Sequence, residues 1–500
     1  MHNLTSFIRF HATQKPNDLA VVYNDLRITY ADLLDRGIAA GAWLRSEGVR
    51  EGDVVAPVMK NSAGFLDLVL GASQVGAVLL PINYRLAAAE VAYIHDHAGV
   101  KLVLADEELS EQTAKLPRVV PISKAAQNDI RALAKTEDRP DAVRRSGKDL
   151  YRLMYTSGTT DHPKGVIHQY ENFYWKTMDQ AVALQQSARD KLLVVGPMYH
   201  VGGIDLPGLG ILWMGGSMVI HREFEPEATL QSIQDEQINC AWFAPVMTNI
   251  LLNLANRDRY DVSSLRWCVG GGERTPESRI REFTEFFINS RYIDAYGLTE
   301  SFGGDTLMKA GMEIEKIGST GQAIMHVEVD IRDNEGNTLP CDEDGEICLR
   351  GPKITNGYWR EPTKTKAAFY PENWFRSGDI GHLDKDGFLF LTDRKKDMII
   401  SGGENIASSE IERVVYQMDE VMEAAIIGMP DTQWGERVAA VIVPKPGEKI
   451  DYPMIDTHCR AHLAGFKSPK ELHIVDALPR NPSGKVLKRI LRDQLVSKNN

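Results

Sequence analysis

Apolar residues fall along this chain in short runs broken by turns rich in glycine, asparagine and aspartate. Residues 19–23 and 27–30 flank Asn24-Asp25, which predicts a hairpin, and Thr29 ahead of Tyr30-Ala31-Asp32-Leu33 reads as a helix N-cap. Residues 54–60, 76–81 and 102–105 predict buried strands, with an apolar helix over 62–75. The polar, weakly patterned stretch 107–148 reads as variable surface. Beyond it come strand 150–155, strand 166–169, helix 170–186, strand 192–195, helix 226–236 and strands 241–243, 265–269 and 291–295. Strands alternating with helices predict a parallel sheet covered on its faces.

From about Gly318 the pattern changes to short strands at 327–332, 345–350 and 388–391, parted by Asp-Asn-Glu-Gly and Asp-Lys-Asp-Gly turns. The charge cluster at 392–397 marks a boundary, followed by helix 408–417 and strands 423–427 and 438–443. The expected fold class is therefore α/β: a large N-terminal domain of layered α/β subdomains, a β-rich subdomain, and a small C-terminal α+β domain. Length agrees, because 500 residues exceed one compact core.

Composition narrows the function. A net charge of −12 argues against broad nucleic-acid binding, which needs a basic face. The five cysteines are odd in number, scattered and without a Cys-x-x-Cys, which predicts a reduced, cytoplasmic setting with neither zinc site nor disulfide frame. No signal peptide is read at Met1-His2-Asn3-Leu4, and the sparsely charged stretch 192–220, with its glycines and prolines, predicts buried structure rather than a membrane span. Peripheral membrane contact and a homodimer stay open.

The chemistry gathers at strand ends. Strand 150–155 runs into Thr156-Ser157-Gly158-Thr159-Thr160-Asp161-His162-Pro163-Lys164-Gly165. Hydroxyls, backbone N–H groups and a lysine suit a polyphosphate. A Walker A loop is excluded, because no glycine precedes Lys164, no Ser or Thr follows it, and the next residues read as a strand. Taken alone, the loop could equally be a hairpin with a surface lysine. Strand 192–195 ends at Gly196-Pro197-Met198-Tyr199-His200, strand 265–269 at Gly270-Gly271-Gly272-Glu273, and strand 291–295 at Tyr296-Gly297-Leu298-Thr299-Glu300. Open α/β sheets bind ligands beyond such carboxyl ends.

These turns, with Ser377-Gly378-Asp379, the 393–397 cluster, Ser401-Gly402-Gly403-Glu404-Asn405 and Pro482-Ser483-Gly484-Lys485, stand in the order of the adenylate-forming (ANL) superfamily. The chain resembles its AMP-dependent acyl-CoA synthetases, most closely the compact fatty-acyl or aryl-CoA ligases. The resemblance implies that an acid attacks ATP to give acyl-AMP and diphosphate, and that CoA then takes the acyl group. It implies that Thr156, Ser157, Gly158, Thr159, Thr160 and Lys164 hold the β- and γ-phosphates. Thr299 would bond the α-phosphate, and Glu300, with Thr156, would hold Mg²⁺. Tyr296 would stack on adenine, Gly272, Glu273 and Arg274 would edge it, and Asp379 and Arg394 would bind the ribose. Lys485 resembles the lysine that bridges carboxylate and α-phosphate, and His200 the gate between acyl pocket and thiol tunnel. The resemblance divides the chain into an adenylation domain at 1–394, a hinge at 395–396 centred on Lys396, and a lid at 397–500. Ser401, Gly402, Gly403 and Lys467 would face CoA.

The expected acyl pocket takes Tyr199, Val246, Gly270, Gly297, Ser301, Phe302, Gly303 and Gly304. It is largely apolar, and the glycine pair leaves room, which fits a medium- or long-chain fatty acid; an aryl acid such as a cinnamate, a carrier-protein acceptor and a non-catalytic nucleotide binder are the alternatives. Two departures stand out. Asp161 replaces the usual glycine of the phosphate loop, and Ala407-Ser408-Ser409 replaces an aromatic-proline pair on the thiolation side.

Overall fold

The computed structural model describes residues 3–133, 139–156, 163–272, 275–394, 397–401, 404–480 and 486–499, with the backbone alone at 405, 498 and 499. Two large sheets dominate. In the first, Arg291–Tyr296, Trp267–Gly271, Cys240–Phe243, Lys191–Val194, Ser217–Ile220 and Leu19–Tyr23 run parallel in that spatial order. Leu26–Thr29 pairs antiparallel with Leu19–Tyr23, closing the expected hairpin, with Asn24 in the left-handed region at φ 52°. The second sheet runs Val119–Ile122, Val100–Asp106, Val54–Val58, Val78–Leu79 and Leu150–Thr156 in parallel, then Lys164–Gln169 antiparallel.

The helices Tyr30–Ser46 and Ala63–Val75 belong to the main apolar core, which draws side chains from both sheets, including Val21, Val55, Leu104 and Val194. Each helix starts at a hydroxyl cap, the first of them expected. The Thr29 side chain accepts from the Asp32 N–H, and Ser62 accepts from that of Phe65. The helices cross closely enough that a Cβ at Gly71 would fall 2.6 Å from the Ala40 Cβ. Separate cores cover the other face of each sheet.

Two local expectations are corrected. The run 76–81 contributes only Val78–Leu79 to the ladder. Within 107–148, Val119–Ile122 adds a parallel strand beside Val100–Asp106, and buried Gln127 donates to Asp106. The signal was weak because that strand is half exposed and carries Pro121, which an edge position tolerates. Helices Leu4–Gln14 and Ala88–Ala98 are further elements that the pattern did not announce.

The β-rich part pairs Glu328–Arg332, Gly345–Arg350, Trp374–Leu383 and Leu389–Arg394 antiparallel. In the C-terminal part, Val421–Asp431 and Gly435–Pro444 form the long central hairpin. Helices Ser408–Val415 and Tyr452–His462 supply the core on one face, Lys488–Asn499 that on the other. The molecule is thus a large N-terminal α/β unit with a small C-terminal α+β unit. Among the described residues, no helix is long and apolar enough to cross a membrane.

Candidate active site

The carboxyl ends of Trp267–Gly271 and Arg291–Tyr296 open into a cleft of about 230 Å³. Gly272, Tyr296 and Gly297 line its strand side, Asp379 and Arg394 one wall, and Glu412, Arg480 and Lys488 of the C-terminal unit close it. Tyr296 is 5% exposed and donates its hydroxyl to Asp379 Oδ2 at 2.9 Å. Burial and the Asp379 charge raise the Tyr296 pKa, so the phenol stays a donor. Asp379 and Arg394 face each other across the ladder, with Arg394 Nε 3.3 Å from Asp379 Oδ1. At Gly272, φ is 99° and a Cβ would meet no atom within 4 Å, so the backbone there borders open space.

A second group lies at the end of Leu150–Thr156. Thr156 and Lys164 are partners in the ladder between Leu150–Thr156 and Lys164–Gln169. Lys164 Nζ lies 4.2 Å from the centre of the Tyr358 ring, and the Tyr358 hydroxyl donates to Glu300 Oε1 at 2.9 Å. Burial lowers the Lys164 pKa, and the Glu300 charge opposes that shift. Among the described residues, no cluster of three or more His, Cys, Asp or Glu could cage a metal. The Glu300 carboxylate is the oxygen donor this group presents, which suits a hard ion carried largely by a triphosphate, and Thr156, across the ladder from Lys164, is the residue of the strand that carries a further hydroxyl. Ser157, Gly158, Thr159, Thr160, Asp161, Glu273, Arg274, Lys396, Gly402, Gly403 and Lys485 lie outside the described residues.

Behind the Thr299–Ser301 turn sits a buried ionic network that the sequence did not announce. Arg152 and Asp205 are both fully buried, with Arg152 Nη2 2.6 Å from Asp205 Oδ2. Arg152 also donates to His168 Nδ1 from Nη2 at 3.0 Å and Nε at 3.2 Å. Arginine cannot accept, so Nδ1 is the bare nitrogen and Nε2–H donates to the Thr299 carbonyl at 2.7 Å. Burial and the Arg152 charge hold His168 neutral. Lys176 donates to the Asp205 carbonyl at 2.8 Å, its own pKa lowered by burial to about 8.

Several residues of the expected acyl wall make specific contacts of their own. Phe302 is fully buried at φ 60° and stacks on His168, with ring centres 3.7 Å apart. Ser301 bonds Asp305. A Cβ at Gly304 would fall 2.9 Å from Gln180 Nε2 and 3.0 Å from Leu206 Cδ1, whereas at Gly303 its nearest neighbour would be Leu206 Cδ2 at 3.6 Å. Their carbonyls accept from Lys353 Nζ at 2.8 and 3.0 Å. Gly270 makes way for Tyr292, whose hydroxyl would lie 1.9 Å from a Cβ there. Val246 and Gly297 do border the cleft. Tyr199 is buried, edge-on to Tyr84. His200 caps Val201–Ile204 by accepting the Gly202 N–H at 3.1 Å, and burial pushes its pKa down to about 4.

On the C-terminal side, Lys467 is engaged by both Glu410 oxygens at 2.9 and 2.7 Å, which partly neutralises its charge toward a phosphate. Ser401 sits in the ladder opposite Glu404 and Gly435. Lys488 pairs with Glu412 at 2.7 Å at the cleft. Ser408 donates to Asp393 Oδ2 at 2.6 Å from its hydroxyl and again from its N–H, and accepts from Lys488. The serine that replaces the usual residue thus ties the C-terminal unit to the end of Leu389–Arg394.

The AMP-binding enzyme family matches residues 8–359, and the AMP-binding enzyme C-terminal domain matches 410–485. The long-chain-fatty-acid–CoA ligase FadD13 of Mycobacterium tuberculosis is 34% identical over 99% of both chains, and a feruloyl-CoA synthase of an Amycolatopsis species is 33% identical over 96% of both. The solved structure of o-succinylbenzoate CoA synthetase (MenE) from Bacillus subtilis, in complex with the acyl-adenylate intermediate OSB-AMP, superimposes with a TM-score of 0.88 at 27% identity, over 97% of this chain and 98% of that one. The chain therefore belongs to the AMP-binding enzyme family and stands among its AMP-forming acyl- and aryl-CoA ligases.

Proposed function

We propose that the protein joins a compact, largely apolar carboxylic acid to CoA by way of acyl-AMP. The observation that carries the reaction is a cleft at the strand ends, lined by Tyr296, Leu298, Asp379 and Arg394 under a C-terminal unit that closes it, with Glu300 and Lys164 meeting at Tyr358 just beyond Leu298. A carboxylate is a poor electrophile. It attacks the α-phosphorus of ATP, diphosphate leaves, and the acyl-AMP carbonyl then accepts the CoA thiol as AMP departs. Most of the protein's contribution is position and charge. Thr156, Lys164 and the loop 157–160 hold the β- and γ-phosphates, and Thr299 presents its hydroxyl to the α-phosphate. Glu300 with Thr156 would hold Mg²⁺, which supplies positive charge against the phosphates. Tyr296 flanks the adenine beside Gly272, Glu273 and Arg274, while Asp379 and Arg394 take the ribose. Lys485 bridges the two reacting anions, and His200, held neutral, stands at the gate. The C-terminal unit, residues 397–500, swings about Lys396 between half-reactions and brings Ser401, Gly402 and Gly403 to the pantetheine arm, with Lys467 near the CoA phosphates.

A compact acid is supported by the close approach of Leu206 and Gln180 to Gly304, which narrows the room on that side. An aryl or medium-chain acid is favoured over a long alkyl chain. Steady-state assays with cinnamate, benzoate, octanoate and palmitate in the presence of CoA test this. The best aryl or medium-chain acid is expected to exceed palmitate in kcat/KM by at least about 10-fold, the discrimination a pocket gains from a few unaccommodated methylenes. A preference for palmitate would overturn the compact reading.

A further inference from the structure

One short segment ties the phosphate strand to the carboxylate turn. The Thr355 N–H donates to the Glu300 carbonyl at 2.7 Å, and the Thr355 hydroxyl donates to the Ile167 carbonyl, also at 2.7 Å. The Ile167 N–H donates to the Gly357 carbonyl at 3.1 Å, and the Trp359 N–H to that of Gly165 at 2.8 Å. Gly357 has φ 134°, and a Cβ there would fall 2.3 Å from Thr365 Cγ2, so no side chain fits this course. The Thr365 hydroxyl oxygen in turn accepts the Tyr358 N–H at 2.9 Å. Tyr358, 6% exposed, is thereby held with its ring beneath Lys164 and its hydroxyl on Glu300.

We propose that Tyr358 is a positioning residue that sets Glu300 for a divalent cation through its hydroxyl and supports Lys164 through its ring. The inference rests on the reading of Glu300 as the metal ligand. A carboxylate with one oxygen fixed by a buried donor presents its remaining lone pairs in one orientation, and loss of such outer partners typically costs about 10–100-fold in metal affinity. The ring contributes separately, because a cation over an aromatic face is attracted without a hydroxyl.

Calorimetric titration of the full chain with ATP, once with Mg²⁺ and once with EDTA, separates the two roles without relying on turnover. Tyr358→Phe is expected to cut the affinity gained from Mg²⁺ by about 10-fold while leaving metal-free ATP affinity within about twofold. Tyr358→Leu is expected to weaken metal-free ATP several-fold as well. Glu300→Gln is the reference. If it loses the Mg²⁺ increment while Tyr358→Phe keeps it, or if Tyr358→Phe weakens both forms equally, the positioning role is wrong and the ligand reading stands. If Glu300→Gln keeps the full increment, Glu300 is not the ligand and both fall.

Discussion

Replacing Lys485 with alanine is expected to lower acyl-AMP formation by about 10²–10³-fold, the cost of removing one preorganised charge donor from a developing anion. The same variant should largely keep its rate of thioester formation from supplied acyl-AMP. The two half-reactions differ in charge. In the first, a carboxylate approaches a triphosphate, and a cation between them offsets anion against anion. In the second, a thiol attacks a carbonyl, and no such approach occurs. Arg480 and Val486, on either side of residues 481–485, both line the cleft and pair with each other. The chain on both sides of that segment is therefore at the site, as the proposed role requires. Acid-dependent exchange of pyrophosphate into ATP measures the first half-reaction, and thioester release from synthetic acyl-AMP the second. Equal loss in both would remove Lys485 from the role.

The second large effect lies out of solvent. Asp205→Ala is expected to destabilise the protein by about 3–5 kcal/mol, the range for breaking a buried pair from one side. Arg152 and Lys176, both fully buried, would then lose the one carboxylate they share. Replacing Arg152 as well removes one of the two stranded charges and leaves Lys176, so Arg152→Met with Asp205→Leu should recover part of the loss. Urea unfolding followed by tryptophan fluorescence measures both variants. A loss below about 1 kcal/mol for Asp205→Ala would mean that water reaches the pair and screens it.

This network also marks where sequence reading stopped. Arg152 stands alone in an otherwise apolar strand, and Asp205 is the sole Asp, Glu, Lys or Arg in 192–220. Neither position was read as a buried charge. Nothing in the linear pattern says that residues 53 apart meet, because their pairing depends on how two strand ends and a helix are placed. The parallel strands were legible because burial on both faces leaves near-continuous apolar runs, as at Cys240–Phe243. The turns that close the cleft were legible from small, hydroxyl and acidic residues at those strand ends. Gly303 and Gly304 show why room for a ligand is hard to read from glycines alone. Both have positive φ, and at Gly304 the place of the missing side chain lies against Leu206 and Gln180. A sequence shows that space is required but not what fills it. Tyr358 carried no signal, since its position under Lys164 is set by backbone bonds of the 355–359 segment.

The central claim is that acid activation by ATP precedes and feeds thioester formation at one cleft. Diphosphate and acyl-CoA release, followed together across a panel of acids with and without CoA, test it most directly. The account expects diphosphate release that requires the acid, a stoichiometric burst of acyl-AMP without CoA, and steady turnover with equal acyl-CoA and AMP once CoA is added. Diphosphate release indifferent to CoA would instead point to another acceptor, and no acid-dependent release with any acid would contradict the account.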